Sequence, residues 1–157
     1  MRSLIAYYSR TGKTKRVAEA ISDSLGADIE EIIDIKNRDG IRGFLLAAKD
    51  SVTKRFTQIK PTQRDPALYD LVIVGSPVWA FTVTPAIRTY LAENKDRFKK
   101  IAFFCTQDSA GAGRAFKVME RLCAKRPEAT LELTAEEITK EKYIIPVKEF
   151  IRKIRGQ

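Results

Sequence analysis

A three-layer α/β fold is the architecture this sequence predicts, with a doubly wound sheet of five parallel strands in the order 2-1-3-4-5 and helices on both faces. Three observations predict it. Short apolar or β-branched runs alternate with segments whose apolar residues recur three and four apart, the pattern of strands joined by right-handed crossover helices. Two of the runs, Leu71-Val72-Ile73-Val74 and Ile101 to Cys105, are continuously apolar, as expected of strands covered on both faces. The segments after the first, third and fourth runs are clusters of small, hydroxyl-bearing and polar residues. The stated strand order sets these three clusters side by side at one rim of the sheet, where such sheets bind ligands.

The first run, Leu4 to Tyr8, stops at Ser9-Arg10-Thr11-Gly12-Lys13-Thr14. Val17, Ile21 and Leu25 then recur four apart with Ala18 beside them, which predicts a helix closed by Gly26. The turn therefore joins a strand's carboxyl end to a helix's amino end, where unpaired N–H groups and the helix dipole favour an anion. A simpler reading makes Thr11 or Thr14 a helix cap and nothing more. The Gly12-Lys13-Thr14 triplet also matches the end of a nucleoside-triphosphatase P-loop, but the first glycine of that pattern falls on Tyr7, which lacks the required backbone freedom.

Asp28 to Ile35 is β-branched but broken by carboxylates, so it suits an edge strand. Asn37-Arg38-Asp39-Gly40 reads as a turn, Ile41 to Phe56 as a helix burying Phe44, Leu45, Ala48 and Val52, and Pro61 to Asp65 as a polar connection. After the central run ending at Val74 comes the second loop, Gly75-Ser76-Pro77-Val78-Trp79-Ala80-Phe81-Thr82-Val83. Thr84 as cap and Pro85 at the first helical position open the next helix, with Ile87 and Leu91 buried. The fourth run leads into the third loop, Thr106-Gln107-Asp108-Ser109-Ala110-Gly111-Ala112-Gly113, and then a helix marked by Phe116, Met119 and Cys123. Ala129, Leu131 and Leu133 alternate with polar residues as a second edge strand. Glu136 to Lys142 read as a loose connection, and Pro146 as the opening of a last helix that buries Val147, Phe150, Ile151 and Ile154.

The length of 157 residues suits a single domain over residues 1–157, and 44% hydrophobic content supports a packed core. No apolar stretch is long enough to span a bilayer and no signal-peptide pattern precedes the first strand, so a soluble cytoplasmic protein without membrane insertion is expected. Cys105 and Cys123 fit neither a disulfide framework nor a metal site and read as reduced core thiols. Histidine is absent, which excludes His-based triads and His general bases. Redox or transfer chemistry would therefore need a borrowed cofactor. The formal charge is +9, with seven cations against two carboxylates between residues 36 and 60. That stretch reads first as a solvated basic face and second as a surface for an acidic partner; no motif supports nucleic acid.

The three loops carry a resemblance to a known family. Ser9-Arg10-Thr11-Gly12-Lys13-Thr14 matches [ST]-x-T-G-x-T at every fixed position, and the whole chain resembles a short-chain flavodoxin with a flavodoxin-like fold. The resemblance implies FMN as cofactor, its phosphate held by the Ser9, Thr11 and Thr14 hydroxyls and by backbone N–H groups of the turn, Arg10, Gly12 and Lys13 included. Ser76, Pro77, Val78, Trp79, Ala80 and Phe81 are similar to the family's second flavin loop, with Trp79 as the aromatic that covers one ring face. A core tryptophan is the alternative reading of Trp79. Thr106, Gln107, Asp108 and Gly111 resemble the third loop, whose backbone would bond the pyrimidine edge.

This chain departs from the family pattern in two places. Members with the Pro-Val-Trp form usually place a glycine two residues after the tryptophan, where Phe81 stands here; glycine eases a backbone flip near flavin N5, and phenylalanine opposes it. Flavodoxins are also typically acidic, and the opposite charge here implies a less negative low-potential couple.

Three functions follow for comparison. An FMN electron carrier to a redox partner protein, with an acidic docking surface on that partner, needs no acid or base from the chain. An FMN-dependent oxidoreductase, resembling a quinone reductase or protoporphyrinogen oxidase, would need a substrate pocket beside the ring. A binding domain that kept the fold and lost the cofactor is opposed by the near-complete phosphate motif.

Overall fold

The computed structural model describes residues 1–36 and 56–156. Its strands are β1 (Ser3–Tyr7), β2 (Asp28–Glu31), β3 (Leu71–Trp79), β4 (Thr82–Val83), β5 (Lys100–Gln107) and β6 (Thr130–Thr134). The helices are α1 (Lys13–Leu25), α2 (Pro85–Asn94), α3 (Ala112–Cys123), α4 (Ala135–Thr139) and α5 (Ile144–Ile154). The expected turn at 37–40 and nearly all of the expected helix over 41–56 lie outside the described residues; Phe56, its last member, is exposed and non-helical.

Five strands pair in parallel in the order β2-β1-β3-β5-β6, which is the expected 2-1-3-4-5 order once the two-residue β4 is set aside. Registers Tyr7↔Gly75, Pro77↔Thr106 and Gln107↔Thr134 align the carboxyl ends of the inner strands and β6 at one rim. The two carboxylate-rich or alternating runs fall on the edges, where a strand needs only one bonded neighbour.

Side chains of a strand alternate between faces, and the core divides accordingly. Leu4, Ala6, Val72, Val74, Ile101 and Phe103 face α2 and α3 in one buried cluster. Ile5, Tyr7, Ile73 and Phe104 face α1 and α5 in the other. Burying side chains of this size contributes about 1.5–3 kcal/mol each, so strands covered on both faces anchor the rim firmly. One close approach matters to the site: a Cβ on Gly75 would lie 2.0 Å from Phe104 Cζ, so only glycine lets the Phe104 ring cross that strand.

Helix boundaries follow local chemistry. α1 ends where Gly26, at φ 64°, donates its N–H to the Ser22 carbonyl at 2.8 Å. Thr84 caps α2 by accepting from Ile87 N, with Pro85 first in the helix, as expected.

Three expectations need correction. The second loop is largely strand: β3 continues through Trp79 and turns back as β4, because the ladder with β5 persists to Pro77↔Thr106. Residues 136–142, expected as a loose connection, begin with helix α4. Its capping box satisfies the first amides, Thr134 N donating to Glu137 Oε2 at 2.7 Å and Glu137 N to Thr134 Oγ1 at 3.2 Å. Pro146 does not open α5 but sits in its first turn, after Ile144 and Ile145, where a missing N–H leaves no intrahelical bond unmade. No helix among the described residues is long and apolar enough to cross a membrane.

Candidate functional site

The opening turn is built around one hydroxyl and one glycine. Ser9 Oγ accepts from Gly12 N at 3.1 Å and from Lys15 N at 3.3 Å, drawing the chain tightly around itself. Gly12 takes φ 90° as the residue before α1, a conformation that costs glycine little. No side chain of the helix-capping position bonds the first amides, and the first turn holds no carboxylate. The helix thus presents its positive end, with Arg10, Thr11 and Lys13 around it, toward the rim. Neither Thr11 nor Thr14 acts as the cap.

Thr14 is buried and does something else. Its Oγ1 lies 2.8 Å from Thr106 Oγ1, a hydroxyl pair that ties the first loop to the third across the sheet. Just below, Tyr7 packs in the core with its hydroxyl 3.4 Å from Glu31 Oε2. Burial first, and the neighbouring Glu31 carboxylate second, push the Tyr7 phenol up to about 12.

The second loop is a two-residue hairpin. Trp79 pairs with Thr82 across the ladder, and the residues between them, Ala80 at φ 49° and Phe81 at φ 62°, are both left-handed, the signature of a type I′ turn. Neither is glycine, so the turn carries backbone strain on the order of 1–3 kcal/mol per residue that its surroundings must offset. Ser76 helps to hold it: its Oγ donates to Pro77 O at 2.8 Å and accepts from Thr84 N at 3.2 Å. Gly111 supports it from the position just before α3, since a Cβ there would meet Val78 Cγ1 at 2.8 Å and Phe81 Cα at 3.1 Å. Phe81 itself is 57% exposed at the tip, whereas Trp79 is 8% exposed and stands edge-on to Tyr8, ring centroids 5.4 Å apart at 89°.

The third loop closes on its own side chain. Gln107 Oε1 accepts from Ala112 N at 2.9 Å, and Gly111, at φ 115°, precedes α3 without a side-chain cap.

These three segments meet in one cleft of about 220 Å³. Arg10, Thr11, Lys13 and Thr14 line it from the opening turn; Pro77, Val78, Trp79 and Ala80 from the hairpin; Thr106, Gln107 and Asp108 from the third loop. Five of the expected residues take supporting positions instead. Ser9 and Gly12 shape the turn, Ser76 is buried beneath the hairpin, Phe81 points to its exposed tip and Gly111 backs it. Ala135, first residue of α4, also lines the cleft and was not anticipated. Its signal was available, because β6 ends at the same rim and Thr134-Ala135-Glu136-Glu137 is a capping-box pattern.

The chemistry of the lining is divided. Hydroxyls, helix amides and two cations suit a phosphate, while Trp79, Val78 and Pro77 offer apolar area to a flat ring. The groups present therefore fit a ligand with an anionic tail and an aromatic body.

Comparison with known proteins agrees with this geometry. A family profile described as flavodoxin matches residues 2–149. No curated protein matches the chain. Among solved structures, a Lactobacillus acidophilus flavoprotein in complex with FMN superposes with a TM-score of 0.71 at 23% identity, covering 90% of this chain and 97% of its own. Oxidised flavodoxin 2 of Bacillus cereus gives 0.54 at 18%, covering 95% and 99%. General stress protein 14 of Treponema denticola, in complex with FMN, gives 0.55 at 13%, covering 99% of both chains.

Proposed function

The chain belongs to the flavodoxin family, and from that premise we propose that it binds FMN in the rim cleft and works as an electron carrier to a protein partner. One observation carries the reading: a helix amino end with no capping side chain at Gly12, ringed by hydroxyls and two cations, shares a single cleft with a tryptophan wall. FMN is the flavoprotein cofactor such a cleft suits, and when bound it supplies the redox chemistry.

Each group of residues then has a task. Thr11, Thr14 and the backbone amides of Lys13 and Thr14 receive the phosphate, while Ser9, which accepts from Gly12 N and Lys15 N, fixes the shape of the turn. Arg10 and Lys13 add positive charge to the helix dipole and should make affinity for FMN exceed that for riboflavin by a salt-dependent margin. Trp79 covers part of the ring, and the backbone around Gln107 and Asp108 meets its polar edge. The chain's own residues bind, orient and exclude water; none has to move a proton during electron transfer.

Exposed cations near the rim, among them Lys15, Arg16 and Arg114, suit a partner with an acidic docking face. Charge complementarity of this kind chiefly raises the association rate. Stopped-flow association with such a partner should slow steeply as ionic strength rises, and a rate indifferent to salt would remove the acidic partner.

Calorimetric titration of apo-protein with FMN and with riboflavin tests the cleft, and yellow purified protein would be the simplest support. Anaerobic reductive titration then tests the role. Reduction in two separate one-electron stages is expected of the carrier; a single two-electron stage would favour an FMN-dependent oxidoreductase acting on a small substrate.

A further inference from the structure

Arg88, in the first turns of α2, is 5% exposed and makes no ion pair with any described residue. A buried cation ordinarily has a carboxylate partner, because desolvation alone is costly. Here Nη2 donates to Thr82 Oγ1 at 3.2 Å, and Nε has no hydrogen-bond partner. Desolvation, and then the like charge of Arg121, lower its pKa from the ordinary arginine value. Arginine nonetheless stays protonated in proteins. A positive charge is thus held at a largely buried position with no ion-pair partner among the described residues.

Its location gives that charge a consequence. Thr82 is paired across the hairpin ladder with Trp79, and Val83 with Val78, and both Trp79 and Val78 line the cleft. The guanidinium therefore bonds to the residue one cross-strand spacing, roughly 5 Å, behind the aromatic wall. Because it is buried, mobile salt screens it poorly. Any species that gains negative charge in the cleft is stabilised by it more than a neutral one.

We propose that Arg88 sets the redox preference of the cleft, making it hold two-electron-reduced FMN more tightly, relative to oxidised FMN, than an uncharged residue there would. The inference rests on the FMN reading of the cleft. On taking up two electrons from a reductant such as dithionite and one proton from water, the ring carries one negative charge more than before, and that added charge is what Arg88 faces. A ligand pair can be discriminated only by a difference in interaction with the two forms, and a fixed unpaired cation provides such a difference. Arg88 is not among the residues that line the cleft, so it acts through the field and through Thr82.

The test compares dissociation constants for oxidised FMN, by calorimetry, with those for reduced FMN, obtained from bound and free midpoint potentials after dithionite titration. In R88M the ratio of reduced to oxidised dissociation constants should rise about tenfold, as expected for one charge on the order of 10 Å away at intermediate dielectric. R88K, which keeps the charge, should return the ratio to within about threefold of wild type. A purely structural role would weaken both forms equally and leave the ratio unchanged, and that result overturns the proposal. Should R88M fail to fold by circular dichroism, R88Q against R88K makes the same comparison at closer side-chain size. Wild-type protein that binds no FMN would remove the cleft assignment and this inference with it, whereas tight binding with an unmoved ratio removes this inference alone.

Discussion

The turn over residues 9–14 and the hairpin over residues 78–83 line the same cleft, yet they place their left-handed backbone on opposite kinds of residue. The turn assigns it to Gly12, which meets no atom within 4 Å of an added Cβ. Its shape comes from inside, through the two amides gathered on Ser9 Oγ. The hairpin assigns it to Ala80 and Phe81, where side chains resist it, and is held from outside by Ser76, Thr84 and the bare face of Gly111. A conformation that local sequence disfavours persists only where packing over-determines it. The turn is therefore a local device, and the hairpin is a tertiary one.

The strongest way to break that contrast is Gly75→Ala, since Gly75 serves both regions. Its carbonyl accepts from Tyr8 N at 3.1 Å ahead of the turn, and its strand leads to the hairpin. The added Cβ would lie 2.0 Å from Phe104 Cζ in a fully buried site. Overpacking of this kind should cost about 3 kcal/mol, measured by urea denaturation; a cost below about 1 kcal/mol would show that the Phe104 ring moves freely.

Next in size is Gly111→Ala set against Gly12→Ala. Both place a side chain at positive φ, but only at 111 does the Cβ also collide with Val78 and Phe81. The expected losses are about 3 kcal/mol at 111 and about 1 kcal/mol at 12. Equal losses would mean that the hairpin does not lean on α3.

Phe81→Gly sharpens the contrast from the other side. Relieving the left-handed strain should raise the melting temperature of the apo-protein, with a gain of about 1 kcal/mol after loss of the ring's contact with Gly111. Phe81→Leu should show no gain, because the strain lies in the backbone.

The smallest effect concerns the strand beneath the turn. Tyr7 ionises near pH 12 when folded against an ordinary value of 10.0, so its share of stability is complete below pH 10 and is lost as pH rises toward 12. Tyr7→Phe should flatten that alkaline slope in pH-dependent denaturation while leaving the curve near neutrality in place.

The same contrast explains what could be read from the chain. The sheet was legible because burial on two faces demands unbroken apolar runs at Leu71–Val74 and Ile101–Cys105, while the edges tolerate the carboxylates of β2 and the alternation of β6. The opening turn was legible because its special backbone falls on glycine and its bonds fall on a neighbouring serine. The hairpin was not, since Ala80-Phe81 contains none of the Asn, Asp or Gly that mark a type I′ turn and its support comes from residues as distant as Gly111. Helix α4 was missed for a different reason: a valid cap at Thr134 was outweighed by the polar run that follows. Arg88 gave no signal at all, as one charge in an amphipathic segment does not disclose that tertiary packing encloses it.

Trp79 is the one tryptophan of the chain and stands in the cleft wall against Tyr8. Intrinsic emission excited at the red edge of the aromatic band therefore originates from that wall alone. An arriving flavin would quench it by energy transfer and could be timed without any label, whereas fraying of the distant edge strands would pass unseen until the wall itself gave way.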